Sequence, residues 1–382
     1  MDNASTSLTP EPVLDAVLSY YRSYNANIGR GVHRLALVAT QKYKDAHTKV
    51  AEFIGASPEE IIFTRNTTEA INIVANGIRW KKGDKIVVSL FEHHSNLLPW
   101  IRIKNKFGVD LEVVKPQSSK WTLEIADFEE LIDENTKLVA VTHISNVLGS
   151  ITPVEGIARI CKDKNALFLV DGSQSVPHIP IDIKRIGCDF LAFSGHKMLA
   201  PTGTGVLFMK EELISEIEPL IVGGGAVEDA SFEDYVISKT YEGFECGTPN
   251  IAGGIGLGAA VEYLEGIGME KIKSYEEELT KKLLEGLQEI ERVEIYGALD
   301  TKRRIGTVSF NIQGLHPHEV ALRLDEEANI MVRSGHHCCI PLIKHLGLNA
   351  IGGTVRASLY LYNTEEEVEK LLDTLREISK SL

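Results

Sequence analysis

Lys197 closes the stretch Ser194-Gly195-His196-Lys197, directly after the apolar run Phe190-Leu191-Ala192-Phe193. A lone lysine in a glycine-containing loop is ordinarily a solvated side chain. Here a second apolar run, Leu167-Phe168-Leu169-Val170, ends on an acid, Asp171. A carboxylate at the end of a buried strand needs a partner, and a protonated pyridine nitrogen is one. A lysine that can join an aldehyde, paired with an acid for a ring nitrogen, is what pyridoxal phosphate requires. The acid keeps the ring protonated, so the ring draws electrons from Cα of a bound amino acid.

Such a cofactor also needs donors for its phosphate and a flat partner for its ring. Asn66-Thr67-Thr68-Glu69 lies between the run Ile61–Thr64 and an amphipathic stretch carrying Ile71 and Val74. A helix N-terminus with two hydroxyls suits an anion through its free N–H groups and dipole. Thr67 also reads as a plain helix N-cap, and the two roles are compatible. His93, in Phe91-Glu92-His93-His94, follows the run Ile86–Leu90 and could stack on the ring or stand as an exposed loop histidine. Near the other end, Cys338 and Cys339 follow His336 and His337. A thiolate there is a nucleophile, and a neighbouring histidine can raise the charged fraction of a thiol. The same four residues have the types of a zinc site, but four contiguous residues cannot close a tetrahedron. No metal is expected.

The elements that must position these residues follow from hydrophobic spacing. Ile61-Ile62-Phe63, Ile86-Val87-Val88, Leu138-Val139-Ala140-Val141 and the runs ending near Asp171 and Ser194 read as buried strands. Amphipathic stretches separate most of them; Ile71, Val74, Ala75 and Ile78 repeat at i, i+3, i+4, i+7 and read as one helix face. Such alternation predicts a largely parallel sheet covered on both faces, with ligands beyond the carboxyl ends of the strands. Residues near 305–312 and 355–361 read as strands, and Thr364-Glu365-Glu366-Glu367 as a capping box whose helix buries Val368, Leu371, Leu372 and Leu375. The expected architecture is an α/β domain over 15–255 and a smaller α+β domain formed by 1–14 and 256–382.

Composition bounds the rest. The chain has 382 residues and a net charge of −14, a poor balance for binding nucleic acid but compatible with a local basic pocket. No apolar run approaches the roughly 18 residues of a membrane helix, and Met1-Asp2-Asn3-Ala4 does not open like a signal peptide. A cytoplasmic protein is expected. Five cysteines are an odd number for a disulfide framework; Cys161 and Cys188 sit among apolar residues and read as buried fillers.

The ordered set Thr67-Thr68-Glu69, Glu92-His93-His94, Ser145-Asn146-Val147-Leu148-Gly149, Asp171-Gly172-Ser173-Gln174, Ser194-Gly195-His196-Lys197 and Gly247-Thr248-Pro249-Asn250 resembles the class V aminotransferases, fold-type I pyridoxal phosphate enzymes. Arg333-Ser334-Gly335-His336-His337-Cys338, Val355-Arg356-Ala357-Ser358 and Tyr362-Asn363-Thr364 narrow the likeness to the group II, SufS-type cysteine desulfurases. The resemblance spans nearly the whole chain. It implies a large, mostly parallel seven-stranded sheet and a small domain carrying the cysteine loop. It implies that Lys197 carries the cofactor, Asp171 meets the ring nitrogen, Gln174 the ring hydroxyl and His93 the ring face. Thr67, Thr68, Ser194 and His196 would hold the phosphate, with Thr248 reaching in from the second subunit of a homodimer. Asn146 and Arg356 would bind the carboxylate of L-cysteine, and Cys338 would take its sulfur as a persulfide, leaving alanine. A sulfur-acceptor protein or iron–sulfur scaffold would receive it. Related activities of the class include selenocysteine lyase and aminotransferase; an aminotransferase has no need of Cys338, and a non-catalytic scaffold has no need of Lys197. Two features depart from the family pattern. The cofactor domain starts almost at Asp2, and Cys339 stands where a small non-cysteine residue is usual. Cys339 is expected to point away from the cofactor, into the apolar surroundings of Ile340 and Pro341, because neighbours in an extended loop face opposite ways.

Overall fold

The computed structural model describes residues 1–117 and 121–382. Its centre is a seven-stranded sheet of β1 (Ile61–Thr64), β2 (Lys85–Ser89), β3 (Asp110–Val114), β4 (Thr136–Thr142), β5 (Leu167–Asp171), β6 (Phe190–Ser194) and β7 (Gly205–Met209). The spatial order is β1-β7-β6-β5-β4-β2-β3. Neighbours from β6 through β3 run parallel, whereas β7 is antiparallel to both β6 and β1. Every strand but β7 therefore ends on the same edge. The five apolar runs read from the sequence are five of these strands. Their side chains divide by the period of two between two cores. Val87, Val139, Val141, Phe168 and Val170 face one, and Ile86, Val88, Leu138, Ala140 and Leu169 face the other. Helices cover both faces, which is why the strands are apolar without alternation.

A hairpin of β8 (Val227–Ala230) and β9 (Tyr235–Ile237) stands apart from this sheet. The C-terminal part holds an antiparallel sheet ordered β10-β11-β13-β12, from β10 (Val293–Tyr296), β11 (Thr307–Ile312), β12 (Arg333–Gly335) and β13 (Thr354–Ser358). It shares a core with the helix Met269–Gln288 and the capped helix Glu365–Lys380, whose Val368, Leu371, Leu372 and Leu375 are buried as the spacing predicts. The helix Ile251–Ile267 crosses the expected seam at 255, and its Leu257, Ala260, Val261 and Leu264 belong to the large-sheet core. We place the division after that helix, near Gly268, where φ is +96°. The first seven residues tie the two parts together: Asn3 bonds Ser358 and Asn363, while the Ser7 amide donates to the carbonyl of His196 at 2.8 Å. Among the described residues no helix is long and apolar enough to cross a membrane.

Candidate active site

A cavity of about 230 Å³ opens at the carboxyl edge of the large sheet, and five of its strands deliver side chains to it. Thr67 and Thr68 follow β1, His93 follows β2 and Asn146 follows β4. Asp171 ends β5, while Ser194 ends β6 and leads into the turn bearing His196 and Lys197. Gln174 lies just after Asp171, and Arg333 and Arg356 arrive from β12 and β13 of the small sheet. The cavity thus gathers every residue expected for cofactor and substrate except Thr248 and Cys338. Thr248 lines a different cavity of about 340 Å³, with Tyr43, Arg65 and Glu245.

Thr67 is the first residue of the helix Thr67–Gly77, and the N-cap is Asn66, whose side chain accepts the Glu69 amide. The capping reading of Thr67 is therefore displaced by one residue. This frees the Thr67 hydroxyl, which lies 2.6 Å from Ser194 Oγ and 2.8 Å from Ser173 Oγ. Thr68 Oγ1 meets Ser95 Oγ at 2.7 Å. Hydroxyls converging on the first turn of a helix can hold an anion.

Deeper in, burial dominates the electrostatics. It pushes the Asp171 carboxyl up, against the lowering effect of Ser173 and the charge of Lys197. It pushes the Lys197 ammonium down to about 8, although Asp171 favours the charged form. A lysine so placed has far more free amine at neutral pH than an ordinary one. Burial, then the nearby Lys197 charge, pushes the His93 imidazole down to about 3, so the ring is neutral. The Ser95 amide donates to His93 Nδ1 at 3.1 Å, which leaves the ring proton on Nε2. His93 is half-buried and is not a solvated loop residue. Gln174 donates Nε2 to the Ala4 carbonyl at 2.8 Å, and its buried Oε1 has no partner among the described residues, an acceptor awaiting a donor.

Arg356 is almost fully buried. Nη2 donates to Asp2 Oδ1 and Ser5 Oγ, each at 2.8 Å, and Nη1 donates to the Asn146 carbonyl at 3.0 Å. Nε has no partner among the described residues. One N–H of the Asn146 amide is engaged: Nδ2 donates to the His337 carbonyl at 2.8 Å and so holds the cysteine loop, which leaves its second N–H for a ligand.

That loop differs from the extended segment expected. His337 and Cys338 have φ of +50° and +56°, and the Cys339 amide closes the turn on the His336 carbonyl at 2.8 Å. Two consecutive left-handed residues make a tight reversal, so the opposed side chains of Cys338 and Cys339 come from the turn and not from strand alternation. Cys338 is half-exposed. Cys339 is fully buried, with Sγ 3.2 Å from the Glu92 carbonyl, and burial pushes its thiol further up. The expectation that histidines assist Cys338 does not hold in this geometry. His337 turns to Thr354, with Nε2 2.9 Å from Oγ1, and His336 turns to Asn349. The group that reaches the sulfur is Arg333, with Nη2 3.5 Å from Cys338 Sγ.

Sequence reasoning gave no role to Arg333, Glu92, Asp2 or Ser5. Glu92 is a buried carboxyl pushed up to about 8 by desolvation. It accepts from the Thr142 amide at 2.9 Å and Asn96 Nδ2 at 2.6 Å, joining the ends of β2 and β4 beneath His93. An acid between Phe91 and a histidine pair was a signal that could have been weighed. Cys161 and Cys188 are buried, as their apolar neighbours suggest. Among the described residues no group of three or more His, Cys, Asp or Glu side chains is placed to hold a metal.

A parallel sheet with a lysine and a carboxylate at its carboxyl edge, and a small domain closing over them, is the arrangement of a family. The aminotransferase class-V model matches residues 1–371, and the chain belongs to that family. Within it, the similar proteins share a narrower name. A probable cysteine desulfurase of Methanothermobacter thermautotrophicus is 50% identical over 99% of this chain and 94% of its own length. The apo structure of a cysteine desulfurase from Thermococcus onnurineus NA1 is 49% identical, with a TM-score of 0.96 over 100% of this chain and 94% of that one. The Escherichia coli cysteine desulfurase CsdA is 32% identical, with a TM-score of 0.91 over 100% of this chain and 94% of that one.

Proposed function

We propose that this chain is a pyridoxal-phosphate-dependent cysteine desulfurase that moves sulfur from free L-cysteine to Cys338 and releases L-alanine. The observation that carries the proposal is the convergence of Lys197, Asp171, His93 and Arg356 on one cavity with Cys338 beside it. The cysteine desulfurases that resemble it over nearly its whole length support the same reading.

The residues fit the cofactor. The unpaired Gln174 Oε1 suits a ring hydroxyl and Asp171 a ring N–H, while the hydroxyls of Thr67, Thr68 and Ser194, with His196, suit a phosphate. His93 offers a neutral ring face, and Lys197 the amine that joins the aldehyde. When bound, the cofactor supplies the electron sink for bonds broken at the substrate's α-carbon. The protein's own residues do the remainder. Arg356 takes the substrate carboxylate, which Asn146 helps to orient. Lys197, as free amine, removes the Cα proton. Cys338, as thiolate, attacks the substrate sulfur. The substrate's C–S bond breaks with its electron pair left on carbon, which is protonated to the methyl group of alanine, Lys197 returns a proton to Cα, and a new S–S bond forms on Cys338. Sulfur is oxidised and carbon reduced, so no outside oxidant is consumed.

We further propose a homodimer in which Thr248 of one subunit completes the phosphate site of the other. Thr248 lines a different cavity of its own chain, which favours that arrangement. The half-exposed Cys338 suits delivery of sulfur to an acceptor protein or iron–sulfur scaffold, and five unpaired cysteines suit the reducing cytoplasm. The test is the mass of the intact protein after cysteine is added. The wild type gains ~32 Da, one sulfur, with alanine in solution, and Cys338→Ser gains nothing. Sulfur retained by Cys338→Ser would overturn the assignment.

A further inference from the structure

Ser5 lies in the segment that ties the two domains together, and it lines the cavity beside Ala4. A serine hydroxyl has one hydrogen to donate and two lone pairs to accept with, and here all three are used. The hydrogen goes to Asp2 Oδ1 at 2.7 Å. The lone pairs take Arg356 Nη2 at 2.8 Å and Arg333 Nη1 at 3.2 Å. These arginines stand opposite each other on β12 and β13. Like charges so placed are unfavourable, and one oxygen accepts from both.

The main chain is fastened on either side of this hydroxyl. Before it, the Ala4 amide donates to Ser358 Oγ at 2.9 Å and the Ser358 amide to the Met1 carbonyl at 2.8 Å, which ties residues 1–4 to the end of β13. After it, the Ser7 amide donates to the His196 carbonyl and Ser7 Oγ accepts from the Leu199 amide, each at 2.8 Å, on the turn that bears Lys197. The oxygen is therefore in place before a ligand arrives, as a preorganised site requires. A serine bonded to an aspartate three residues back is by itself an ordinary turn. What sets this one apart is the almost fully buried guanidinium that shares both groups. The two hydrogens of Arg356 Nη2 are taken, one by Asp2 and one by Ser5. Asp2 alone would leave the guanidinium free to turn about a single contact; the pair fixes its plane.

We propose that Ser5 is a positioning residue for the substrate's carboxylate: its hydroxyl, oriented by Asp2, holds Arg356 in the plane that leaves Nε–H and one hydrogen on Nη1 for an amino acid in the cavity. The inference rests on the reading of Arg356 as the carboxylate's partner. It confines the effect of Ser5 to ligands that carry a carboxylate, because its oxygen acts through the arginine and not on the amine end of the ligand.

The experiment compares two ligands of the holoenzyme, L-alanine and ethylamine, which differ only in the carboxylate. Each is titrated against the visible absorbance of the bound cofactor, with Tm measured alongside. Ser5→Ala should weaken L-alanine roughly tenfold, the order of one hydrogen bond to a charged group, and leave ethylamine as in the wild type. KM for L-cysteine should rise by a similar factor, and by more than kcat falls. A merely structural role would weaken both ligands alike. Should Ser5→Ala fail to fold, Ser5→Cys, which keeps the shape with only a weak acceptor, carries the same comparison. Unchanged L-alanine binding in the variant tested, or equal weakening of both ligands, overturns the proposal. The two readings fail separately. If Arg356→Ala keeps the advantage of L-alanine over ethylamine, the carboxylate site itself is misplaced. If Arg356→Ala abolishes that advantage while Ser5→Ala preserves it, only the role of Ser5 falls.

Discussion

Arg356→Ala should weaken cysteine binding by two to four orders of magnitude while leaving the cofactor attached. A guanidinium has five N–H donors. Three are used within the protein, by Asp2 Oδ1, Ser5 Oγ and the Asn146 carbonyl. The two that remain are Nε–H, buried without a partner among the described residues, and one on Nη1. Each charged hydrogen bond to a substrate carboxylate contributes about 1.5–3 kcal/mol, so two contribute about 3–6 kcal/mol, or roughly 10²–10⁴ in affinity at 1.36 kcal/mol per factor of ten. The variant also loses its three internal bonds, so Tm should fall. Asp2 is 36% exposed and can be rehydrated, which confines the lasting damage to the buried Asn146 carbonyl. Arg356→Lys should recover part of the binding, because a point charge replaces a fork. The assay is KM and kcat for cysteine from alanine release, with Tm measured alongside. A KM within twofold of the wild type in a variant whose Tm has dropped would show that Arg356 is a structural pillar, and the carboxylate would have to bind elsewhere.

Attachment of pyridoxal phosphate to the apo-protein should accelerate as pH rises through about 8 and level off above it, because attack on the aldehyde needs the free amine and Lys197 is pushed down to about 8. A profile still climbing beyond pH ~10, the range of an ordinary lysine, would contradict that environment, and Lys197→Ala should show no borohydride-fixable attachment. Cys339→Ser should keep the ~32 Da sulfur adduct, and in the native protein Cys339 should alkylate far more slowly than Cys338, since its sulfur is buried against the Glu92 carbonyl; rapid labelling of Cys339 would place it in the reaction path. Gly149→Ala should lower stability by about 2–4 kcal/mol, read as a drop in Tm, because φ there is +69° and an added Cβ would collide with the Thr307 carbonyl oxygen. The same shift should raise KM for cysteine by moving Asn146, three residues upstream.

Much of this geometry is legible in the sequence because apolar runs and the polar residues after them obey one rule, that parallel strands present their ligands at their carboxyl ends. Lys197, Asp171, His93 and Thr67 each follow such a run, and each reaches the same cavity. What was illegible depends on register and turn geometry. The run Gly205–Met209 looks like its neighbours, yet it pairs antiparallel with Phe190–Ser194, and strand direction leaves no mark on composition. The left-handed pair His337-Cys338 has no glycine to announce it. The contact of Arg333 with Cys338 depends on the pairing of β12 with β13, and that of Asp2 with Arg356 spans 354 positions. The second is invisible to a local pattern, and the first, though only five positions apart, depends on a turn that the sequence does not announce.

The side chains around the pocket give an acidic chain one place suited to anions. The chain as a whole carries −14. Around the cavity, Lys197, Arg333 and Arg356 gather with Asp171, and Asp2 pairs with Arg356, three basic side chains to two acidic ones. His93 and His196 are neutral, pushed down to about 3 and about 4 by burial, and Glu92 stays protonated because desolvation pushes it up to about 8. Burial thus removes one acid from the count, whereas a guanidinium gives up its proton only at far greater cost than a carboxylic acid does. At physiological salt the screening length is about 8 Å, so the distant surface acids hardly reach the cavity, whereas the three cations within it act at short range and partly desolvated. A phosphorylated ring and an amino-acid carboxylate bring the negative charge that this cluster lacks, and the sulfur of Cys338 shares Arg333 with them. Sulfate or phosphate added to the apo-protein should therefore compete with pyridoxal phosphate for the hydroxyls of Thr67 and Ser194, raising the cofactor concentration needed for half-saturation. Equal ionic strength supplied as chloride should raise it much less. If chloride were equally effective, the attraction would be a long-range field, and the local cluster of cations and hydroxyls would not be its source.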